Sequence, residues 1–431
     1  MKYKDTNVRD LHNYIGKEVL IAGWVQEIRD LGKVKFIILR DSSGIVQITA
    51  KKGVVDEKVL QSMHLIKEDV IAVKGNVIEM KNAPNGIEVI PKEIILLSKV
   101  ERKLPIDVTD RIESELDVRL DYRYIDLRRK KIRAIFDIVS QIPKAFREKL
   151  IYLGFQEIRP PCIVASATEG GSNLFPIVYF EREAFLSQSP QLYKQMAVVG
   201  GMEKVFMTTY AFRAEKHNTT FHLNEVLQMD IEMGFADHFD AMDVLAKVAT
   251  HIVKSVKENC KEQLEILNLD LKVEEDVKMI SYDQAVDILT SEFNDIQWGQ
   301  DFSREHEEFL CKKFNREFVM VYEYPTMVRA FYSMPLEDNE EKCKAFDLLY
   351  RGTEISSGAQ RIHIPEILIK QLKKRNLNPE NFEYYINAFR YGAPPHAGWS
   401  IGLERFAMKI VNASNIREVV LFPRDRTRLV P

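Results

Sequence analysis

Apolar residues change their spacing once along this chain, near residue 132. Before that point they sit in short stretches that alternate or run apolar: EVLIAGWVQEI, VKFIILRD, IVQITAKK, DVIAVKGNVIEM and GIEVIPKEIILL, all between residues 18 and 99. SSG and APNG punctuate them, so the pattern predicts five strands joined by turns. DEKVLQSMHLIKED predicts one short helix between the third and fourth strands. Five strands with a helix after the third is the order of an OB barrel, and a small β-sandwich shares the pattern. From Ile132 the period becomes helical: Ile132, Ile135, Phe136, Val139, Ile142, Phe146 and Leu150 recur three and four apart. Pro143 interrupts this run and is expected to kink the helix or start a second one. GFQEIRPPCIV follows as a turn and a strand. Later strands (KVFMTTYAFRA, EVLQMDIEMGF, EFVMVYEYP, AFDLLYRGTEISSG) mix with helices near 238–262, 282–293, 302–315 and 364–375. Antiparallel strands with helices between them predict an α+β fold. The expected division is a five-stranded OB domain over 1–100, a charged hinge over 101–131, and a larger α+β domain over 132–431.

Composition adds bounds. The chain has 431 residues, with 45% hydrophobic and 29% charged, which is ordinary for a globular protein of two or three domains. No apolar run reaches the ~20 residues that span a bilayer, and MKYKDTNVRD lacks the apolar core of a signal peptide. The expectation is a cytoplasmic protein with no membrane association. Its four cysteines form no CxxC pair, which points to reduced thiols and away from a zinc site or a disulfide framework. Net charge is -3. The first hundred residues are nonetheless mildly basic, which fits a nucleic-acid-binding module and equally fits a compositional fluctuation.

Four clusters carry candidate chemistry. FRAEKHNTTFHLNEVLQMDIEM holds Arg213, Glu215, His217, His222 and Glu225. SATEGGSNLFP with SQSPQLYKQ holds Glu169, Gly170, Gly171, Gln191 and Lys194. FDLLYRGTEISSGAQRIH holds Asp347, Glu354, Ser357 and Arg361, and PPHAGWSIGLERFAMKIV holds Arg405. Asp347 and Glu354 flank a turn at Arg351-Gly352; two such acids suit Mg²⁺, which takes a couple of carboxylates and completes its shell with phosphate oxygens. Arg213 and Arg405 suit a polyphosphate or a planar base. Taken singly each has a dull reading, since an Asp/Glu pair is ordinarily solvated and a Gly pair is ordinarily a turn. Neither GxxxxGK[ST] nor GxGxxG occurs, so no P-loop or Rossmann turn holds a nucleotide.

Together the clusters resemble a known family. GFQEIRPP, FRAE and GLER are similar to motifs 1, 2 and 3 of the class II aminoacyl-tRNA synthetases, and HIGH and KMSKS are absent. TEGGSNLFP, SQSPQLYKQ, RAEKHNT, EISSGAQRIH and LFPRDRTRLVP resemble the aspartyl-tRNA synthetases of archaeal and eukaryotic type, over nearly the whole chain. The resemblance implies a ligase that activates L-aspartate with ATP and Mg²⁺, then charges the 3′ end of tRNA(Asp). It implies catalytic roles for Arg213 and Arg405. ATP contacts would come from Arg213, Ala214, Glu215, Phe221, His222, Leu223, Glu354, Gly402, Leu403, Glu404 and Arg405. Aspartate contacts would come from Glu169, Gln191, Leu192, Tyr193, Lys194, Arg213, Ser357 and Arg361. Glu354, Ser357 and Asp347 would hold Mg²⁺. Lys194 and Arg361 would favour aspartate over asparagine, because asparagine would leave a cation unpaired.

RxxxKxxFxxLRDxxGxxQ, from Arg29 to Gln47, resembles the anticodon-binding pattern, with Arg29, Phe36 and Gln47 reading bases. Gln26 and Pro84 match positions that separate enzymes strict for tRNA(Asp) from those that also charge tRNA(Asn). Pro84 leans to the tolerant, non-discriminating form, whose product an amidotransferase would convert; Gln26 matches neither. Motif 1 implies a homodimer. Three positions depart from the family: Val226 stands where a Phe stacks on adenine, and Phe221 where an Arg is common. Met207, where Glu is common, is the third. These departures predict an aliphatic floor opposite Arg405. The rivals are an asparaginyl-tRNA synthetase, a tRNA-independent amide-forming relative, and a non-catalytic RNA-binding protein with a dead synthetase domain.

Overall fold

The computed structural model describes residues 2–165, 173–217 and 219–431. It separates into two compact units, Met1–Pro105 and Ile106–Pro431.

The first unit is a closed five-stranded barrel. Its strands are β1 (Glu18–Asp30), β2 (Val34–Arg40), β3 (Ile45–Lys51), β4 (Val70–Glu79) and β5 (Ile87–Ser98), in the order β1-β2-β3-β5-β4. Helix α1 (Glu57–Ser62) lies between β3 and β4, as the sequence predicts. Alternation decides what goes inside: Val19, Ile21, Ile37, Leu39, Val46, Ile48, Ile71, Val73 and Val89 are buried in one cluster. β1 pairs with both β2 and β4, which closes the sheet and excludes the sandwich. The closure draws backbones tightly together at Gly23, where a Cβ would lie 2.2 Å from the Arg40 carbonyl oxygen. One ion pair is buried at the barrel wall: Arg40 Nη2 donates to both Glu68 oxygens at 2.9 and 2.8 Å.

The second unit begins with α2 (Leu116–Asp121), α3 (Arg123–Asp126) and α4 (Lys130–Tyr152). Strands β6 (Gln156–Glu157), β7 (Ile163–Val164), β8 (Pro176–Tyr179) and β9 (Arg182–Leu186) follow, then α5 (Gln191–Val199), β10 (Lys204–Phe212) and β11 (Glu225–Gly234). Next come α6 (His238–Asn259), α7 (Lys261–Leu267), β12 (Lys278–Ser281), α8 (Tyr282–Thr290), α9 (Arg304–Phe314) and β13 (Phe318–Tyr322). The unit ends with β14 (Ala345–Tyr350), β15 (Glu354–Arg361), α10 (Pro365–Lys374), α11 (Glu383–Arg390), β16 (His396–Gly402) and α12 (Leu403–Ile410).

Its main sheet has eight strands in the order β12-β13-β14-β15-β16-β11-β10-β6. The expected antiparallel sheet is mixed at its edges, where β12 runs parallel to β13 and β6 parallel to β10. α4, α6 and α12 cover one face through Ile138, Ile142, Phe146, Leu245, Val248 and Phe406, against Phe206, Met229, Ile231 and Trp399. Trp399 is fully buried and donates its indole N–H to the Ala241 carbonyl at 3.0 Å. The covering of one face leaves the other free to carry polar side chains.

Two expectations change. Pro143 lies inside a single helix, Lys130–Tyr152, and starts no second one. Its neighbours Ile138, Ile142, Ala145 and Phe146 are all buried, so tertiary packing offsets the missing N–H bond. The charged stretch 101–131 is no free hinge, because everything from Ile106 belongs to the second unit. Arg123 there is fully buried, donating to Asp126 Oδ2 at 2.8 Å and to the carbonyls of Arg417, Val420 and Leu421 at 2.7, 3.2 and 3.1 Å. Charge richness concealed a buried network, which composition cannot distinguish from a solvated connector.

Candidate active site

The uncovered face of the sheet is laid out by register. Met207, Asp230, Ser400, Ser357 and Asp347 face one another in sequence across β10, β11, β16, β15 and β14. On β11, Met229, Ile231 and Met233 enter the core, so the residues between them, Gln228, Asp230 and Glu232, point the other way. Above this row lies a cavity of about 310 Å³.

The loop between β10 and β11 contributes Arg213, Glu215, Phe221, His222 and Leu223 to the cavity wall. Ala214, between the first two, does not line it. Arg213 is exposed, and among the described residues its guanidinium has no side-chain partner within bonding range. Asn224 braces the loop, donating from Nδ2 to the carbonyls of Arg213 and Glu215 at 2.6 and 3.3 Å. His222 Nδ1 lies 2.6 Å from Thr219 Oγ1. Burial, then the nearby Arg405 and Arg213, lower its pKa against the opposing pull of Glu215, so the ring is neutral near pH 7.

The start of α12 brings Gly402, Glu404 and Arg405 to the wall; Leu403 turns into the core. Glu404 accepts from Leu227 N through both oxygens, at 2.9 and 3.1 Å, and burial raises its pKa to about 7. Arg405 Nη1 stands 3.5 Å from Glu354 Oε2. Val226 and Phe221 both line the cavity, so its wall holds an aromatic ring from position 221 as well as the aliphatic Val226.

Glu354 and Ser357 also line the cavity, whereas Asp347 sits below them, 4% exposed. Asp347 is claimed by Arg329, whose Nη1 donates to Oδ1 at 3.0 Å and whose Nη2 contacts Oδ2. Burial alone would lower the Arg329 pKa, and Asp347 more than offsets it. Glu354 is less well neutralised: burial, then Asp347, raise its pKa while Arg405 and Arg329 pull it down. Glu307, on α9, accepts from Glu354 N at 3.0 Å and is raised to about 8 by burial and by the charge of Glu354. Among the described residues no three His, Cys, Asp or Glu side chains converge as a metal cage. A carboxylate short of positive charge beside two arginines still fits Mg²⁺ of the kind that takes most of its ligands from phosphate and water.

At the far end, four charges interlock. Arg361 donates from Nε and Nη2 to Glu232 at 3.0 and 3.3 Å. Lys194 donates to Asp230 Oδ1 at 2.7 Å and to the Trp399 carbonyl at 3.2 Å, and stands 3.6 Å from Glu232. Ser400 Oγ donates to Asp230 Oδ2 at 3.1 Å. Gly398 makes the arrangement possible, since a Cβ there would lie 2.3 Å from Glu232 Oε2. The structure departs here from the sequence expectation. Lys194 is fully buried behind Asp230 and is not in the cavity wall, and both cations already hold carboxylate partners. An incoming carboxylate would therefore share Arg361 with Glu232, and asparagine would leave no cation wholly unpaired. Gln191 lines the cavity; Leu192 is buried beside Phe331, and Tyr193 is half-buried. Glu169, Gly170 and Gly171 lie outside the described residues.

Sequence reasoning passed over Arg329, Glu307, Asp230 and Glu232. The two acids on β11 were legible as alternating positions opposite Met229 and Ile231. Arg329 and Glu307 come from segments with no motif-like spacing, and only the fold brings them in.

On the first unit, Arg29 pairs with Phe36 and Phe36 with Thr49 across β1, β2 and β3, so all three share one outer face. Phe36 is half-exposed while its neighbours Ile37 and Leu39 are fully buried, which takes it out of the core. Gln47 lies on the same face, donating to Glu88 Oε2 at 2.9 Å. Gln26 sits at a register irregularity in β1, 3.5 Å from Arg40 Nη1, and Pro84 opens a short 3₁₀ turn before β5.

Comparison with known proteins agrees with both units. Residues 19–97 match the family described as OB-fold nucleic acid binding domain. Over 418 residues the chain is 50% identical to the Aspartate–tRNA(Asp/Asn) ligase of Methanocaldococcus jannaschii, covering 96% of this chain and 95% of that one. It is 47% identical over 423 residues to the Aspartate–tRNA(Asp) ligase of Pyrococcus furiosus, covering 96% and 97%. Among solved structures, the asparaginyl-tRNA synthetase of Pyrococcus horikoshii with asparaginyl-adenylate superposes with a TM-score of 0.93 at 34% identity over the whole of both chains. The aspartyl-tRNA synthetase of Entamoeba histolytica gives 0.88 at 30% identity, covering 100% of this chain and 93% of that one. Residues 115–426, which carry the cavity and its arginines, match the family described as tRNA synthetases class II (D, K and N), and the chain belongs to that family.

Proposed function

We propose that the protein is an aspartate–tRNA ligase acting on tRNA(Asp) and also on tRNA(Asn). The observation that carries the reading is the cavity itself: Arg213 and Arg405 at one end, and Arg361 held by Glu232 at the other. A dicarboxylic amino acid fits between them, its side chain on Arg361 and its α-carboxylate towards Arg213. The α-carboxylate attacks the α-phosphorus of ATP, the bond to the bridging oxygen breaks, and pyrophosphate leaves with the electron pair. Arg213 neutralises charge on the α-phosphate and attacking oxygen, where it grows in the transition state. Arg405 lies against adenine and the phosphate tail. A hydroxyl of the terminal ribose of tRNA then attacks the activated carbonyl and AMP departs. Glu354 and Ser357 would hold Mg²⁺, with Asp347 steadied by Arg329 behind them; the ion screens phosphate charge when bound. Glu169 would receive the substrate amino group.

The reading extends to the partners. Arg29, Phe36 and Gln47 form the anticodon face, with Gln26 and Pro84 setting tolerance at its edge. Charging tRNA(Asn) with aspartate calls for an amidotransferase downstream. The assembly is a homodimer through α4 and the segment ending at Pro161, and the site of action is the cytoplasm. Among the described residues no helix is long and apolar enough to cross a membrane.

Aminoacylation of separate tRNA(Asp) and tRNA(Asn) transcripts with labelled aspartate tests this. Both are expected to be charged; charging of tRNA(Asp) alone would remove the tolerant form, and charging of neither would remove the enzyme. A second reading, asparagine as substrate, draws on the likeness to the Pyrococcus horikoshii enzyme and on the already paired Lys194. Labelled asparagine in the same assay decides it, and no charging is expected. For the anticodon face, Phe36→Ala is expected to raise the tRNA KM about 10-fold or more, from loss of one base stack worth ~1–3 kcal/mol. Pyrophosphate exchange without tRNA should stay unchanged; equal loss of both activities would contradict the assignment.

A further inference from the structure

The Phe221 ring that lines the cavity has a cation on it. The guanidinium carbon of Arg304, the first residue of α9, lies 3.9 Å from the ring centroid. Arg304 comes from a different part of the chain and belongs to none of the sequence motifs. Its only ion pair among the described residues is a contact of 3.4 Å between Nε and Glu308 Oε1, and its side chain is 53% exposed. Both Nη groups therefore keep donors available. The same helical turn carries Glu307, which holds the backbone N–H of Glu354 in the cavity wall. The first turn of α9 thus touches both the β10–β11 loop and the start of β15.

The charge inventory shows why a further cation matters. Of the arginines around the cavity, Arg329 is committed to Asp347 and Arg361 to Glu232. That leaves Arg213 and Arg405, the latter already near Glu354. Because Arg405 is shared with Glu354, these two together with a bound Mg²⁺ leave part of the charge of a nucleoside triphosphate without a partner. Stacking on Phe221 holds the flexible Arg304 side chain beside a residue of the cavity wall while leaving its N–H edges directed outward from the ring, the usual geometry of a guanidinium on an aromatic face.

We infer that Arg304 is a nucleotide-binding residue of this enzyme, held in place by Phe221 and contacting the β,γ-phosphates of ATP. Phe221 then has two roles: it provides the aromatic surface that Val226 lacks, and it carries the cation that its own position does not supply. The inference rests on the proposed function for the identity of the nucleotide, but its test does not require amino-acid activation.

The test is calorimetric titration of ATP and of AMP into the full-length protein, Arg304→Ala, Arg304→Lys and Phe221→Leu. Arg304→Ala is expected to weaken ATP binding by about 10-fold or more, the effect of one charge-assisted hydrogen bond, while AMP affinity stays unchanged. Arg304→Lys should recover most of the ATP affinity, and Phe221→Leu should weaken both nucleotides. In pyrophosphate exchange the Arg304→Ala defect should appear in the ATP KM and not in the aspartate KM. Equal weakening of ATP and AMP would assign Arg304 to loop packing and overturn the inference, as would an unchanged ATP affinity. Absence of aspartate-dependent exchange by the unaltered protein would overturn the proposed function instead, leaving the ATP and AMP comparison to judge Arg304.

Discussion

Arg361→Ala is expected to abolish aspartate-dependent pyrophosphate exchange, lowering it by about 10³-fold or more. Two effects combine. The substrate carboxylate loses the guanidinium that the cavity offers it, and Glu232 loses the partner that donates to both its oxygens. Both side chains are almost completely buried, so the second effect destabilises the fold by ~3–5 kcal/mol, the usual result of stranding one member of a buried pair. Lys194, 3.6 Å from Glu232, limits that loss. The effects separate in a double variant: Arg361→Met with Glu232→Gln removes the stranded charge, so the melting temperature should recover while exchange does not. Retained exchange in Arg361→Ala would refute the placement of the aspartate side chain.

Arg213→Ala is expected to lower exchange by about 10²–10³-fold with no change in melting temperature. The contrast with Arg361 follows from their surroundings. Arg213 is exposed, and its side chain has no bonded partner among the described residues, so its removal strands nothing. Its position is set by backbone, through the Arg213 N–H donating to the Asn224 carbonyl at 2.8 Å and Asn224 Nδ2 donating back at 2.6 Å. These bonds survive truncation of the side chain. An arginine whose backbone is held and whose guanidinium has no partner among the described residues suits an anion that arrives later. Activity within tenfold of the unaltered protein would overturn the role; loss of activity with loss of folding would make the residue structural.

Much of this site is legible in the sequence because its chemistry lies in compact motifs on strands. RAE follows the end of β10, EISSGAQR is strand β15, and GLER runs from the end of β16 into α12; period-two alternation fixes which β15 residues face the cavity. The barrel is legible for the same reason, with Phe36 as the instructive exception. An aromatic in a strand ordinarily packs inward, yet the register that buries Ile37 and Leu39 forces Phe36 outward. Long-range pairing is what stays hidden. The spacing of Lys194 and Arg361 gives no sign that Asp230 and Glu232 neutralise them, because the four residues meet only when α5 packs on the sheet beside β11 and β15. The segment 101–131 reads as a connector because charged residues are rarely buried, but Arg123 offsets its desolvation by donating hydrogen bonds to three carbonyls at the far end of the chain.

Substrate choice shows the division most clearly. A fold that superposes on an asparaginyl-tRNA synthetase at a TM-score of 0.93 cannot itself separate aspartate from asparagine. The sequence by itself determined the two-unit organisation, the family motifs and the identities of the arginines, since these depend on local periodicity and on residue chemistry. Only the tertiary structure decided which charges are free. Among the described residues Arg213 has no side-chain partner, Arg361 is shared, Lys194 is enclosed, and Arg304 is delivered onto Phe221. Charge available to a ligand is a difference between what a side chain carries and what its neighbours have already neutralised, and those neighbours are set by packing across distant parts of the chain.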